Sequence, residues 1–157
     1  MCLQNKYPPL SLPIAPLKLA RRKEIITVRC LSRGKFVALT PEEWVRQHFI
    51  HYLVSVLGYP IGRIVAECVV SVGGQRQRAD IVYYGQDMKP LLIVECKAPS
   101  VSISQVTMNQ AARYMSVLLP KCVVLTNGLS HFVSVADPGN SFRTVASVPT
   151  CEELTTL

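Results

Sequence analysis

Two short apolar segments carry charged residues where a buried strand should carry none. Asp80 lies in the segment Ala79–Tyr84, and Glu95 and Lys97 end the segment Leu91–Lys97. Charged side chains are almost never buried without a partner, so this group must be compensated. Carboxylate oxygens with room for water are the ligands that Mg²⁺ prefers in proteins. The three charged residues therefore predict a site for a divalent cation.

The spacing of the charges also predicts their geometry, if residues 85–90 close an antiparallel hairpin. Side chains alternate between the two faces of a strand. The resulting register places Tyr84 opposite Leu91, Val82 opposite Ile93 and Asp80 opposite Glu95. Directly opposed Cβ atoms lie roughly 4.5–5.5 Å apart, so the two carboxylates repel unless a cation lies between them. The alternative is a surface hairpin end at which Lys97 only neutralises one carboxylate.

Composition and charge narrow the class of protein. The chain has 157 residues, of which 49% are hydrophobic and 17% charged, as expected for one folded domain with a real core. Its net charge of +7 favours a polyanionic partner, nucleic acid first and an anionic membrane second, although a basic soluble protein with no such partner is the alternative. Neither a transmembrane run of about 18 apolar residues nor a signal peptide is expected.

Cysteine and histidine spacing gives no metal pattern. The six cysteines stand apart along the chain without a C-x-x-C pair, which predicts reduced thiols in a cytoplasmic protein. His48 and His51 lie on a predicted helix without a further ligand, and we interpret them as part of an ordinary helix surface.

The elements that must position the charged residues follow from periodicity and capping signals. Residues 1–23 predict an extended, Pro-rich basic arm, and residues 24–157 a single domain. Strands are expected over residues 24–31, 35–39, 64–72, 79–84, 91–97, 122–125 and 131–136, and helices from residue 40 to about 57, over about 101–119 and near the end of the chain. This order predicts an α/β (α+β) domain, with a mixed sheet flanked by helices.

The helix signals are specific enough to place single residues. Thr40 can act as N-cap, Pro41 suits the first helical position, and Glu43 falls where a capping box needs it. Gln110 and Tyr114 are spaced four apart on the second long helix, so both can point at the hairpin.

Together these residues resemble the PD-(D/E)xK nuclease superfamily. Asp80 and the Glu95-Cys96-Lys97 triplet match its D…E-x-K form, and Gln110 and Tyr114 match the Q-x-x-x-Y motif of one branch. More specifically, the sequence is similar over roughly residues 35–136 to the N-terminal endonuclease domain of type I restriction enzyme R subunits. That similarity is carried by the segments Thr40–Gln47, Arg78–Val82, Val94–Pro99 and Leu125–Gly128. No G-x-x-x-x-G-K-[ST] motif of a helicase is present, so the resemblance is to the nuclease module alone.

The resemblance implies a restriction-endonuclease-like fold and a metal-dependent nuclease site. Asp80, Glu95 and the main-chain carbonyl of Cys96 would hold Mg²⁺ or Mn²⁺, and Lys97 would orient or deprotonate a water. A helix carboxylate would reach the metal through water; it is Glu43, with Glu42 as the alternative, and Glu43 could instead serve only the capping box. Nucleic-acid contacts would come from Gln110, Tyr114, Arg76, Arg78 and Arg46, although helix packing or solvation would explain each of them too.

The first functional hypothesis is therefore an Mg²⁺-dependent deoxyribonuclease of a restriction-modification system. Its expected partners are DNA and other subunits of such a system, with a homodimer left open and no membrane. The second hypothesis is a DNA-binding or assembly module that keeps the fold without turnover. The intact set of Asp80, Glu95 and Lys97 favours the first, because a purely structural role needs no opposed carboxylates.

Overall fold

The computed structural model describes residues 6–157, apart from the side chain of Tyr114. The strands are β1 (Leu19–Arg22), β2 (Ile25–Arg29), β3 (Phe36–Ala38), β4 (Ile64–Val72), β5 (Gln75–Tyr84), β6 (Pro90–Cys96), β7 (Cys122–Thr126), β8 (His131–Ala136) and β9 (Phe142–Val145). The α-helices are α1 (Pro41–Ser55), α2 (Gln105–Met115) and α3 (Cys151–Thr156), and 3₁₀ turns cover Ile61–Arg63 and Ser116–Leu118.

A mixed sheet forms the centre of the domain. Its six strands follow the order β4-β5-β6-β7-β8-β9, beside a separate three-stranded sheet of order β1-β2-β3. Within the larger sheet β6 and β7 are parallel and the other neighbours antiparallel. A parallel pair needs a long crossover, which here contains α2. The predicted α+β class with a mixed sheet and flanking helices is confirmed.

Helices α1 and α2 cover opposite faces of this sheet. Phe49 of α1 belongs to a buried cluster with Ile81 and Val94, while Met108 of α2 belongs to another with Val82 and Ile93. Successive residues of β5 and β6 thus alternate between two apolar layers, as the near-continuous hydrophobic runs of these strands predict. Asp80 and Glu95 lie within these strands, next to Ala79 and Cys96, which are buried in the two layers.

Helix α1 begins where the sequence predicts. Thr40 has extended backbone angles, and its hydroxyl accepts a hydrogen bond from the Glu43 N–H at 3.0 Å, while Pro41 occupies the first turn. The helix ends at Ser55, slightly before the expected Leu57, and Gly58 then takes a left-handed φ of 75°.

Three elements differ from the prediction. Helix α2 begins at Gln105 rather than near residue 101, because Ser104 and Thr107 form a capping box there. Strand β9 was not expected, since its four residues are largely solvent-exposed and carry little hydrophobic signal. Strand β1 lies inside the predicted extended arm and pairs with β2.

The segment before β1 packs along the domain. Tyr7 donates its hydroxyl to the Leu39 carbonyl at 2.7 Å, and the Ser11 N–H donates to the Gly128 carbonyl at 2.8 Å. Gly128 has a φ of 81°, and a Cβ there would meet Leu10 at 2.7 Å, so only glycine fits this contact. The division into an arm over residues 1–23 and a domain over 24–157 stays a prediction.

No helix within residues 6–157 is long and apolar enough to cross a membrane.

His48 is buried rather than part of a helix surface, so that interpretation was wrong. Its ring lies 4.2 Å from that of Trp44, and its Nδ1 is 2.8 Å from the Trp44 carbonyl oxygen. Burial lowers the pKa of His48 from 6.5, although the hydrogen bond to Trp44 opposes this shift. The residue is therefore held in its neutral form, which donates from Nδ1 to the carbonyl.

We expect His48 to make the protein less stable as the pH falls below 6.5. The unfolded chain binds a proton at a higher pH than the folded one, so the stabilisation is present above pH 6.5 and is lost below it. Urea unfolding of wild type and His48→Gln between pH 7.5 and about pH 5 tests this. The variant should lose less free energy of unfolding over that range, and parallel pH profiles would contradict the prediction.

Candidate functional site

The site lies where the β5–β6 ladder ends. Val82 pairs with Ile93 as predicted, and the last regular pair is Ile81 with Val94. Tyr84 pairs with Pro90 and not with Leu91, because a bulge follows Tyr83, so that part of the predicted register was wrong. Asp80 and Glu95 lie just beyond the Ile81–Val94 pair, so the predicted Asp80–Glu95 pair is not part of the regular ladder. The Cys96 N–H instead donates to Asp80 Oδ2 at 2.7 Å.

Strand alternation breaks at Asp80. Ala79 packs in the α2-side cluster, whereas Ile81 packs in the α1-side cluster, although perfect alternation would put both on one face. The strand neighbour β4 is distorted at the matching place: Glu67 has a φ of 51° and no regular partner between the pairs Ala66–Ile81 and Cys68–Ala79. The break allows Asp80 to face α1 while its neighbours remain in the sheet.

A buried arginine of α1 occupies the space beside Asp80. Arg46 is 3% exposed, and its Nη2 lies 2.6 Å from Asp80 Oδ1 and 3.0 Å from Glu42 Oε1. Its Nη1 donates to Glu43 Oε2. Burial opposes the charged form of Arg46, but the Asp80 and Glu43 carboxylates outweigh it and raise the arginine's pKa. The guanidinium of Arg46 is therefore an internal counter-ion in this structure, and its contact with nucleic acid stays a prediction.

Glu43 belongs to the same ion network. Its Oε1 accepts from Gln47 Nε2 at 2.7 Å and lies 3.6 Å from Arg33 Nη2. The Thr40 half of the predicted capping box is present. The Glu43 carboxylate, however, faces Arg46 and Gln47, which explains why a glutamate is buried here.

Sequence reasoning missed two members of the network, Arg33 and Glu67. Arg33 Nη1 lies 2.5 Å from Glu67 Oε2, and the other Glu67 oxygen lies 3.7 Å from Arg46 and 3.5 Å from Arg78. These guanidinium charges lower the pKa of Glu67 against the effect of its burial. A signal was present, because Glu67 interrupts an apolar strand in the way that Asp80 does.

Glu95 and Lys97 form the accessible half of the site. Lys97 Nζ lies 3.0 Å from Glu95 Oε1, and the two side chains are 41% and 24% exposed respectively. Burial and then the negative charge of Asp80 raise the pKa of Glu95 to about 7, although Lys97 opposes this. The hydrogen bond to Glu95 and the surrounding carboxylates raise the pKa of Lys97 in spite of its burial. The negative charge of Asp80 thus disfavours the ionised form of Glu95.

A cavity of about 390 Å³ opens beside this pair. Its wall combines the end of β6 with α2 and the loop before it, and is lined by Gln77, Arg78, Glu95, Lys97, Val101, Ser102, Ile103, Thr107, Gln110, Ala111, Met115 and Leu125. Gln110 therefore lies near the hairpin, as its helical spacing predicts. The side chain of Tyr114 lies outside the described part of the structure, and Arg76 is exposed on β5.

The sequence matches a known protein family. The family model described as Type I restriction enzyme R protein N terminus (HSDR_N) matches residues 41–149, which is more than half of the chain. The chain belongs to this family. The match begins at the first residue of α1 and includes the whole β5–β6 hairpin. The predicted resemblance to the N-terminal region of R subunits is therefore confirmed.

The R-subunit N-terminal domain also has a structural relative. It is similar to a fragment of a protein assigned as an HsdR subunit of a type I restriction enzyme from Vibrio vulnificus YJ016, at 22% identity and a TM-score of 0.49. The similarity covers 71% of this chain and 24% of that one, so the chain spans about a quarter of the relative's length. No curated protein matches the sequence.

The donor set of the R-subunit domain fits a hydrated divalent ion better than an all-protein cage. Among residues 6–157, no three His, Cys, Asp or Glu side chains form a group that could hold a metal. Asp80 and Glu95 are nevertheless adjacent carboxylates whose mutual repulsion a cation would relieve. Mg²⁺ usually binds through one or two carboxylates and keeps several waters, and two protein carboxylates suit that pattern.

Proposed function

We propose that this domain is a metal-dependent DNA endonuclease of the PD-(D/E)xK type, which hydrolyses phosphodiester bonds. The observation that carries the proposal is that Asp80, Glu95 and Lys97 lie together where the β5–β6 ladder ends, with Glu95 and Lys97 lining an open cavity. Carboxylates can hold a metal ion that acts on a phosphodiester, and a nearby ammonium group can stabilise the charge that develops on the phosphate. The family membership supports the same reaction class, because its members are named as parts of restriction enzymes.

The roles of the chain's own residues follow from their positions. Asp80, Glu95 and the Cys96 carbonyl would hold Mg²⁺ or Mn²⁺, which when bound supplies a Lewis acid for the phosphate and a more acidic water. Lys97 points its ammonium group into the same space and is partly exposed, so it can stabilise negative charge on a phosphate oxygen or orient the attacking water.

Glu42 is better placed than Glu43 to be the helix carboxylate of the site. Glu43 is 5% exposed and its oxygens are taken by Arg46 and Gln47. Glu42 is partly exposed, and its pKa is raised by burial and by the charge of Asp80, while Arg46 and Lys97 oppose this. Glu42 shares Arg46 with Asp80, which brings its partly exposed carboxylate to the same side of the site. We therefore assign the role to Glu42.

DNA would lie across the face that holds the cavity. Gln110 lines the cavity, Arg78 lies at its wall, and Arg76 is exposed on the same strand as Arg78. Arginine side chains and amide groups commonly position the phosphate backbone without reading sequence. The contact of Tyr114 with DNA stays a prediction. A homodimer also stays a prediction. Other subunits of a type I restriction system are the expected protein partners.

The direct test is cleavage of plasmid DNA. With millimolar Mg²⁺ or Mn²⁺ the domain should convert supercoiled plasmid to nicked or linear forms, and EDTA should stop the reaction. Asp80→Asn should abolish it while leaving far-UV circular dichroism unchanged. If neither metal supports cleavage of supercoiled, linear or single-stranded DNA, the nuclease proposal fails.

A second candidate, a DNA-binding or assembly module without turnover, has one observation in its favour. Arg46 and the Cys96 N–H already occupy both oxygens of Asp80, so the carboxylate is compensated without a metal. This candidate predicts salt-sensitive DNA binding that Asp80→Asn leaves unchanged and no cleavage under any condition.

A further inference from the structure

Three arginines from separate elements converge on Glu67. Arg33 comes from the β2–β3 connection, Arg46 from α1 and Arg78 from β5, and their guanidinium groups lie 2.5, 3.7 and 3.5 Å from the Glu67 carboxylate. Glu67 itself lies in β4, which is an edge strand of the larger sheet. The cluster is therefore open to solvent on one side: the Arg78 side chain is 67% exposed and that of Glu67 29%.

The backbone at Glu67 is strained. Its φ of 51° lies in the left-handed region, which a residue other than Gly, Asn or Asp rarely adopts. Such strain is unfavourable and persists only where the surroundings enforce it. The conformation interrupts the β4–β5 ladder opposite Asp80. Strand β4 is thus distorted at the residue whose carboxylate contacts the three arginines.

The bonds that Glu67 makes are unequal. Its contact with Arg33 is short, but Arg78 lies at 3.5 Å on the exposed side, where an ion pair contributes little. Arg33 Nη2 is buried and lies 3.6 Å from Glu43 Oε1, so this donor is not open to a ligand from solvent. Arg78 is exposed and held only loosely by Glu67, so an oxyanion from solvent can reach it.

We propose that Arg78 binds a DNA backbone phosphate, and that Glu67 pairs with Arg78 in the free protein and competes with this phosphate. Guanidinium groups bind phosphate through parallel hydrogen bonds, and a phosphate offers more acceptor oxygens than a carboxylate. Arg78 also lines the cavity that contains Glu95 and Lys97, so the site is continuous with the cleavage site. The inference rests on the proposed action on DNA, because it names a contact for that substrate.

Competition between Glu67 and phosphate can be distinguished from a general effect of the Glu67 charge by measuring DNA affinity in single and double variants. In wild type, Arg78→Ala should weaken DNA binding modestly, because Glu67 competes with phosphate for Arg78. In a Glu67→Gln background this competition is absent, so the same substitution should weaken binding more. The two substitutions are therefore expected to be non-additive, whereas general electrostatic repulsion by Glu67 predicts additive effects.

The experiment measures fluorescence anisotropy of a labelled DNA duplex over a salt series in EDTA, so that cleavage cannot intervene. Glu67→Gln should tighten binding and steepen the log–log salt slope by about one, as expected for one added phosphate contact. Arg78→Ala should remove that gain in the Glu67→Gln background. Glu67→Gly, which relieves the left-handed strain, should behave like Glu67→Gln and serves if the glutamine variant folds poorly.

Asp137→Asn is the matched control. Asp137 pairs with Arg143 near the opposite edge of the sheet, so its replacement removes the same charge away from the cluster. If Asp137→Asn tightens binding as much as Glu67→Gln, or if the Arg78 and Glu67 effects add, the phosphate site is wrong. DNA binding with coupled effects but no metal-dependent cleavage would support the site and overturn the nuclease proposal. A wild type that binds no DNA at low salt would overturn both.

Discussion

Replacing Arg46 by Met should lower the free energy of unfolding by about 3–5 kcal/mol. The substitution leaves the carboxylates of Asp80 and Glu43 buried without their main counter-ion, and an uncompensated buried charge is far more costly than a missing surface pair. Methionine fills most of the arginine's volume, so loss of packing is a minor part of the effect. Urea unfolding followed by the fluorescence of Trp44, the chain's one tryptophan, measures the change.

The control for this prediction is Arg143→Met. Arg143 pairs with Asp137 at 3.1 Å, but the side chains are 56% and 38% exposed, so the loss should stay below about 1 kcal/mol. The double variant Arg46→Met/Asp80→Asn should regain part of the lost stability, because one of the two stranded charges is removed. Equal losses of unfolding free energy in Arg46→Met and Arg143→Met would show that the buried ion network contributes no more to stability than an exposed ion pair.

Replacing Lys97 by Ala should slow metal-dependent DNA cleavage by about 100-fold or more. The Lys97 ammonium group is bonded to Glu95 and lies at the cavity, so the substitution removes the group that we propose stabilises charge on the phosphate. Stability should change little, because Lys97 is 41% exposed and its ion pair is at the surface. Single-turnover cleavage of plasmid at saturating protein separates this effect from weaker binding.

Lys89→Ala provides the matched surface change. Lys89 also pairs with a carboxylate, that of Asp87, at the far end of the same hairpin, and is 79% exposed. Its replacement should leave the cleavage rate within about twofold. A Lys97→Ala variant that cleaves as fast as Lys89→Ala would exclude Lys97 from the reaction and favour the module without turnover.

The hairpin and its charged residues could be predicted because local rules fix them. Alternation along two strands placed Val82 opposite Ile93, and the Thr40 cap fixed the start of α1. The same rules failed at Tyr84, where a bulge shifts the register by one residue. They failed again before α2, where the apolar Val101 suggested a helix that the Ser104 cap delays.

The ion network could not be predicted from the sequence, because its contacts join residues that are far apart in the chain. Arg46 lies on a helix beside two glutamates that would suit a solvated surface, and its burial also depends on the carboxylates of β4 and β5, which the sequence does not place there. The left-handed backbone of Glu67 has no propensity signal, since glutamate seldom adopts it. Its carboxylate did have a signal, because a charge inside an apolar strand was the criterion that selected Asp80.

The shared ion network behind Asp80 has a consequence for how this family can evolve. The network is one connected set of ion pairs among Arg33, Arg46, Glu43, Glu67 and Asp80. The loss of stability on replacing one of them therefore depends on the others. A lineage that loses Arg46 leaves the carboxylates of Asp80 and Glu43 without their main counter-ion. A lineage that loses Glu67 leaves Arg33 without its nearest partner. Substitutions at these positions should therefore be inherited in compensating groups, and the network will be visible as correlated change among relatives even where each residue alone varies.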